Sequence, residues 1–284
     1  MSVTCPVSVV IPFYNNKRTL VKSVESVLHQ TLPPKELILL DDGSTDGGYE
    51  DIKAFIEGLG TLPTNIHLER FDDNVGVYPR RNYALDIATQ PFVAFQDADD
   101  FWHLDKLKIQ YPYLEADDSV HLICSVVGCY EGKPDDHWGR ALKTPVSVKT
   151  LSRDWVLWRN VMVTISVIIR NNKKYRFRTD KRRGSDMGLW LSIVLSGHKA
   201  LFVTTPLAFV RKPLFGAGGL SGNIRKAEVA HQRNLLDMRE KGFISERYRK
   251  ALSFWSYLKY LRRILIVSLR RAHKLALSIV MMII

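Results

Sequence analysis

The chain has 284 residues, 46% of them apolar and 25% charged, which suits one large domain, or one domain with an appendage, and excludes wholesale disorder. Its net charge of +12 sits at one end: from Arg211 onward sixteen Lys/Arg meet four Asp/Glu, while the first 210 residues carry 25 of each sign, an asymmetry that points to a polyanionic surface, membrane or nucleic acid. Three cysteines, Cys5, Cys124 and Cys129, with no CxxC pair or Cys/His ligand spacing, exclude a disulfide framework and a zinc site and fit a reduced, cytoplasmic compartment.

The first hundred residues alternate between two periods. Val7-Ser8-Val9-Val10-Ile11 is a β-branched run that stops at Pro12, as a buried strand does. Leu20, Val21, Val24, Val27 and Leu28 then recur at helical spacing until Pro33-Pro34 breaks the pattern. Glu36 to Leu40 reads as a second strand, ending in Asp41-Asp42-Gly43-Ser44. A helix through Ile52 and Phe55, a third strand near Asn65–Glu69, a helix over roughly Val77–Ala88 and a fourth strand, Phe92–Phe95, complete the series. This rhythm predicts βαβ units in a mostly parallel α/β sheet with helices on both faces. Ligands bind such sheets beyond the carboxyl ends of the strands, and here each strand is followed by a polar or acidic cluster at that end.

Four clusters are candidates for chemistry. In Pro12-Phe13-Tyr14-Asn15-Asn16 an aromatic ring can stack on a nucleobase while amides hydrogen-bond to it, or the ring can pack on the core beside a turn. In Asp41-Asp42-Gly43-Ser44-Thr45-Asp46 a carboxylate can accept a base N–H with Gly43 allowing close approach, or the segment can be a loop that caps the next helix. Asp97-Ala98-Asp99-Asp100 puts three carboxylates in four residues, a repulsion that a hard cation such as Mg²⁺ or Mn²⁺ offsets. The alternative there is an acidic helix start, with Asp100 capping a helix that begins near His103. Gly184-Ser185-Asp186-Met187-Gly188-Leu189-Trp190-Leu191 places an acid ahead of an apolar run, which by itself reads as a capped helix.

Taken together and in this order, VSVVIPFYNN (7–16), LLDDGSTD (39–46), NVGVYPRRNYAL (74–85), FVAFQDADDFW (92–102) and GSDMGLWL (184–191) resemble the family 2 glycosyltransferases, over about residues 5–215. The resemblance implies a GT-A fold, a Rossmann-like sheet flanked by helices, and an inverting, metal-dependent sugar transfer. It implies that Pro12, Tyr14, Asn15 and Asp42 hold the nucleotide of a UDP-sugar, that Arg81 contacts it, and that Asp97 meets the ribose or the metal shell. By the same resemblance Asp99 binds Mn²⁺ or Mg²⁺ and Asp186 is the catalytic base. Two positions depart from the family pattern: Ser185 stands where a Glu usually precedes the base, and Arg80 where an Ala usually precedes the Arg-Asn pair. The expected organisation is a catalytic domain over 1–215, with a nucleotide-binding half (1–100) and an acceptor-binding half (101–215), and a helical extension over 216–284.

Two stretches bear on the acceptor. Residues 173–183 carry seven basic side chains, which can receive a lipid-linked diphosphate or form a solvated hairpin. The glycine-rich segment 216–222 lacks the Gly-Lys-Ser/Thr of a P-loop and reads as an active-site loop. From Leu258 onward a helix would align Leu258, Leu261, Leu265, Leu269, Ala272, Ala276 and Ile279 on one face, with Lys259, Arg263, Arg270, Arg271 and Lys274 across from it and Val267 misplaced on the basic side. Such a helix suits an anionic headgroup layer, so the enzyme is expected on the inner face of the cell membrane as a peripheral protein. No signal peptide is expected, and no run reaches the roughly 18–20 apolar residues of a spanning helix. The acceptor implied is a lipid-diphosphate-linked saccharide of a surface polysaccharide. A nucleotidyltransferase making an NDP-sugar would carry a Gly-rich basic loop after the first strand, which Pro12–Asn16 is not. A non-catalytic binding module has no reason to place acids at successive strand ends, and no nucleic-acid partner is expected.

Overall fold

The computed structural model describes residues 3–130, 142, 145–159, 161–181, 183–211 and 223–283, with the side chains of the last helix described as far as Leu269. The chain divides into two compact units, Met1–Lys212 and Pro213–Ile284.

The first unit opens with strand β1 (Cys5–Phe13), whose Val7, Val9, Val10 and Ile11 are fully buried. Helix α1 (Leu20–Leu28) buries Leu20, Val24 and Val27, the stripe read from the sequence. Then follow β2 (Pro34–Asp41), α2 (Gly48–Glu57), β3 (Asn65–Arg70), α3 (Val77–Ile87) and β4 (Phe92–Phe95). These strands pair in parallel in the order β3-β2-β1-β4. The chain steps outward from β1 to β3 and returns on the other side of β1 as β4. The strand order therefore reverses between β1 and β4, and in such sheets ligands bind beyond the carboxyl ends of the strands at that point.

The rest of the sheet is mixed. Strand β5 (Phe101–Trp102), helix α4 (Lys106–Glu115), β6 (Val120–Cys129), β7 (Val148–Thr150), α5 (Arg153–Trp158), a 3-10 turn at Thr164–Ser166, β8 (Ile168–Arg170), α6 (Ser185–Leu195) and β9 (Lys199–Val210) complete the unit. The order runs on as β4-β8-β6-β9-β5, with β7 also on β9; β8 is antiparallel to β4 and β6, and β6 is parallel to β9. The alternative reading of the third cluster fails here: Asp100 caps no helix, and the helix it was to start has Asp105 at its N-cap. Phe101 and Trp102 are buried and pair with Phe209 and Ala208 of β9, so two large aromatics join the sheet and the helix begins only at Lys106.

Helix α3 has little amphipathic character because its buried residues include Arg80 and Arg81 beside Tyr78, Ala84 and Leu85. A helix that buries two guanidinium groups is built to aim them at something.

The second unit is a pair of helices, α7 (Ile224–Glu240) and α8 (Glu246–Ile283). Gly242, at φ 74°, turns the chain out of α7, and the Ser245 hydroxyl accepts the amide of Tyr248 at 3.2 Å to start the next helix. Helix α8 thus begins twelve residues before the Leu258 expected from the apolar pattern. The Ser256 hydroxyl donates to Glu228 at 3.0 Å and ties it to α7.

Candidate active site

The loops after β1 and β2 lock together at the carboxyl ends of those strands. Asn15 is the one non-glycine residue at positive φ (54°) among the described residues; its backbone amide donates to Ser44 Oγ and its side-chain Oδ1 accepts the amide of Thr45, both at 2.9 Å. Pro12 is buried within β1, and Tyr14, just beyond the strand, leaves 46% of its surface exposed. Asp42 is buried and heavily bonded. Its Oδ1 accepts Val75 N at 3.1 Å and Arg80 Nε at 2.6 Å, and its Oδ2 accepts Gly76 N at 2.8 Å. Gly43 lies at φ 79°, and a Cβ there would come within 3.3 Å of the Asp73 carbonyl carbon, so the turn requires glycine.

The end of β4 carries the acidic cluster. Arg81, almost fully buried, donates from Nη2 to Asp97 Oδ1 at 2.5 Å. Its guanidinium carbon lies about 6 Å from each of the Tyr78, Phe95 and Phe177 rings, an aromatic surround that holds it in place. Enclosure pushes the Asp97 pKa up; Arg81 pulls it back, and the charges of Asp99 and Asp186 add to the rise. Asp100 is pushed up to about 8, by burial first and then by Asp97 and Asp99. Among the described residues no three His, Cys, Asp or Glu side chains converge on a ready-made metal cage. The donor set at the end of β4 is nonetheless all oxygen and short of positive charge, which fits a hard divalent cation that takes one or two carboxylates and completes its shell with phosphate and water.

Asp186 lies in the first turn of α6, where the helix start favours an anion. Each of its oxygens accepts one hydroxyl: Tyr78 at 3.2 Å on Oδ1 and Thr164 at 2.7 Å on Oδ2. Burial, and next the Asp186 charge, raise the Tyr78 pKa, so that hydroxyl stays a donor. Tyr78, bonded to Asp186, has the Arg81 guanidinium 6.0 Å from its ring, and Arg81 pairs with Asp97, so Asp186 and the acidic cluster lie on one site.

Residues 8–202 match the family described as Glycosyl transferase family 2. The chain belongs to that family. This glycosyltransferase is 28% identical over 239 residues to the UDP-Glc:alpha-D-GlcNAc-diphosphoundecaprenol beta-1,3-glucosyltransferase WfaP of Escherichia coli, covering 81% of this chain and 85% of that one. Its fold is shared with S. aureus TarS 1–349 in complex with UDP-GlcNAc (TM-score 0.64, 16% identity, 90% of this chain and 72% of that one). It is shared also with the mannosyltransferase PcManGT of Pyrobaculum calidifontis in complex with GDP-Man and Mn²⁺ (TM-score 0.63, 17% identity, 99% and 81%). The sheet and its helices are thus those of the GT-A fold.

The residues singled out from the transferase sequence divide in use. Arg81, Asp97, Asp99 and Asp186 cluster at one end of the sheet, as do Tyr14 and Asp42. Asn15 spends its bonds on joining two loops. Three basic residues of the stretch 173–183 are engaged within the chain: Lys173 Nζ donates to the carbonyls of Leu85 and Asp86 at the end of α3, Arg176 pairs with Asp86, and Arg178 pairs with Asp180. Residues 216–222 and the side chains of Arg270, Arg271, Ala272, Lys274, Ala276 and Ile279 lie outside the described residues. Tyr78 and Thr164 were not expected. Tyr78 falls inside a matched motif, but nothing local marks Thr164, which sits in a single 3-10 turn.

Proposed function

We propose that this glycosyltransferase moves a hexose from a UDP-sugar, with inversion, to a hydroxyl of a lipid-diphosphate-linked saccharide in surface-polysaccharide synthesis. The observation that carries this reading is Asp186: one carboxylate, oriented by two hydroxyls, beside the Arg81–Asp97 pair. The named substrates of the relative WfaP support the donor and acceptor classes. Tyr14 stacks on the uracil, Pro12 walls it, and Asp42 accepts its ring N–H; Asn15 acts through the loops it joins. Arg81 and Asp97 meet the nucleotide's sugar-phosphate. Asp99, with Asp97 beside it, holds Mn²⁺ or Mg²⁺, which when bound neutralises charge on the departing diphosphate. Asp186 takes the proton of the acceptor hydroxyl as that oxygen attacks the anomeric carbon from the face opposite the leaving group. One base and one displacement invert the configuration, with no second nucleophilic carboxylate.

Attachment at the inner membrane face belongs to the same reading. Among the described residues no helix is long and apolar enough to cross a membrane. Helix α8 instead leaves Phe254, Leu258, Leu261, Leu265 and Leu269 between 40% and 66% exposed along one side. Val267, the residue out of place in the sequence pattern, is buried with Leu252 and Ser256 on the opposite side. The apolar side is thus free, and the basic surplus of the C-terminal quarter supplies attraction to anionic lipid.

The test is incubation with a panel of UDP-sugars and a diphosphate-linked saccharide acceptor, with and without Mn²⁺, and determination of the product anomer. Metal-dependent transfer from one of them with inversion is expected; a retained configuration would remove the single-base role of Asp186. Full-length protein should pellet with anionic vesicles and lose attachment in high salt or when residues after Tyr257 are removed. Pelleting of the truncated form would shift the contact to the catalytic unit.

A further inference from the structure

Arg80 stands where the sequence resemblance leads to alanine, and its bonds explain the difference. The guanidinium lies 3.7 Å above the Phe71 ring, and Phe71 in turn meets the edge of Tyr83 at 5.2 Å. From that seat Nε reaches Asp42 Oδ1 at 2.6 Å, while Nη2 reaches the Asp73 carbonyl oxygen at 2.7 Å and Asp73 Oδ1 at 2.8 Å. One planar fork thereby joins the carboxylate after β2 to the 72–76 loop, whose Val75 and Gly76 amides also bond Asp42.

A carboxylate has about four lone-pair positions. Three are filled here: two on Oδ1, by Val75 N and Arg80 Nε, and one on Oδ2, by Gly76 N. We propose that Arg80 is a positioning residue for nucleobase choice, leaving Asp42 a single acceptor position, on Oδ2, for one ring N–H. The inference rests on the reading of Asp42 as the base acceptor. Uracil offers one N–H at N3 between two carbonyls and matches a single acceptor. Cytosine presents a bare N3 beside an amino group, so a lone pair faces the carboxylate. A carboxylate free to turn, with two acceptor positions, can still bind the cytosine amine; a clamped one cannot follow it. The clamp thus works against the wrong base more than it adds to the right one.

The test is calorimetric titration of the full-length protein with UDP and with CDP, for the wild type, Arg80→Ala, Arg80→Lys and Asp73→Ala, each checked for fold by circular dichroism. Wild type should prefer UDP. Arg80→Ala should lower UDP affinity by about tenfold or more and bring the UDP:CDP ratio down by a similar factor, since unpaired polar partners discriminate at that scale. In turnover the loss should fall on KM for the donor, with kcat changed by less than about threefold. Arg80→Lys should not restore the ratio, because an ammonium cannot span Asp42 and Asp73 as a fork. Asp73 is 69% exposed, so Asp73→Ala tests the far arm without risk to the core and should move the ratio the same way by less. A wild type that prefers UDP alongside variants that keep the ratio within about twofold overturns the role of Arg80 alone. A wild type with no preference for UDP overturns the reading of Asp42 with it.

Discussion

The site holds its carboxylates under two opposite conditions. At the end of β4, Asp97 pairs with Arg81, the Arg211 amide reaches Asp100 at 3.3 Å, and repulsion from neighbouring carboxylates adds to burial in raising the pKa of Asp97 and Asp100. At the start of α6, Asp186 sits on a helix N-terminus with one hydroxyl on each oxygen. The first arrangement stores unfavourable charge that the proposed cation would relieve; the second has its partners already in place and trades freedom for direction. A group that must bind metal and phosphate gains from under-compensation. A group that must take one proton from one oxygen gains from being held.

The sharpest way to break this contrast is to remove a member of each set. Asp99→Ala should abolish transfer with the fold intact, because a half-exposed acid in a crowded cluster contributes little packing. Donor binding by the wild type should need a divalent cation, and full turnover in EDTA would sink the metal assignment. Asp186→Asn should keep UDP affinity and lose about 10²–10⁴-fold in kcat, since an amide cannot take the proton. A loss below roughly tenfold would move the base elsewhere. Thr164→Val removes one of the two hydroxyls that aim Asp186. Hydrogen bonds to charged groups contribute about 1.5–3 kcal/mol, so kcat should fall by about tenfold or somewhat more, with donor KM unchanged. If Thr164→Val shifted donor KM and left kcat alone, Asp186 would belong to donor binding.

The same contrast explains what could be read from the chain in advance. Strands β1 to β4 lie within about two residues of their expected bounds because β1, β2 and β4 are apolar runs closed by a turn residue, and β3 alternates apolar and polar residues over Ile66 to Glu69. The clusters at their ends are visible for the same reason, since a polar group directly after a buried strand must lie at the sheet edge. Strands β5, β7 and β8 have only two or three residues, too few for any period, and take partners distant in sequence. Thr164 reaches Asp186 through that long-range packing, and Arg80 reaches Asp42 across 38 residues. The misplacement of Val267 shows the limit in the other direction: two faces were expected of a helix that has a third, buried one.

Lys106 gives the smallest functional effect and the clearest energetic one. It is fully buried, its ammonium has no hydrogen-bond partner, and it lies 4.1 Å from the centroid of the Trp102 ring. Burial pulls its pKa down from 10.5 to about 7, against the weaker opposing pull of Cys124 and Cys5. Between those values the unfolded chain binds the proton and the folded chain does not, so stability rises with pH across the window from about 7 to 10.5 and levels off below it. Lys106→Met keeps the length and the ring contact and removes the charge. It should therefore raise stability at neutral pH by about 1–4 kcal/mol, leave transfer unchanged, and flatten the pH dependence of the melting temperature between 7 and 10.5, where the two proteins should converge. Thermal melts of both proteins across that range check it. A mutant less stable than the wild type at pH 7 would show that the Trp102 contact outweighs the burial of charge, and that this lysine belongs with Asp186, held by its surroundings, and not with the crowded acids of β4.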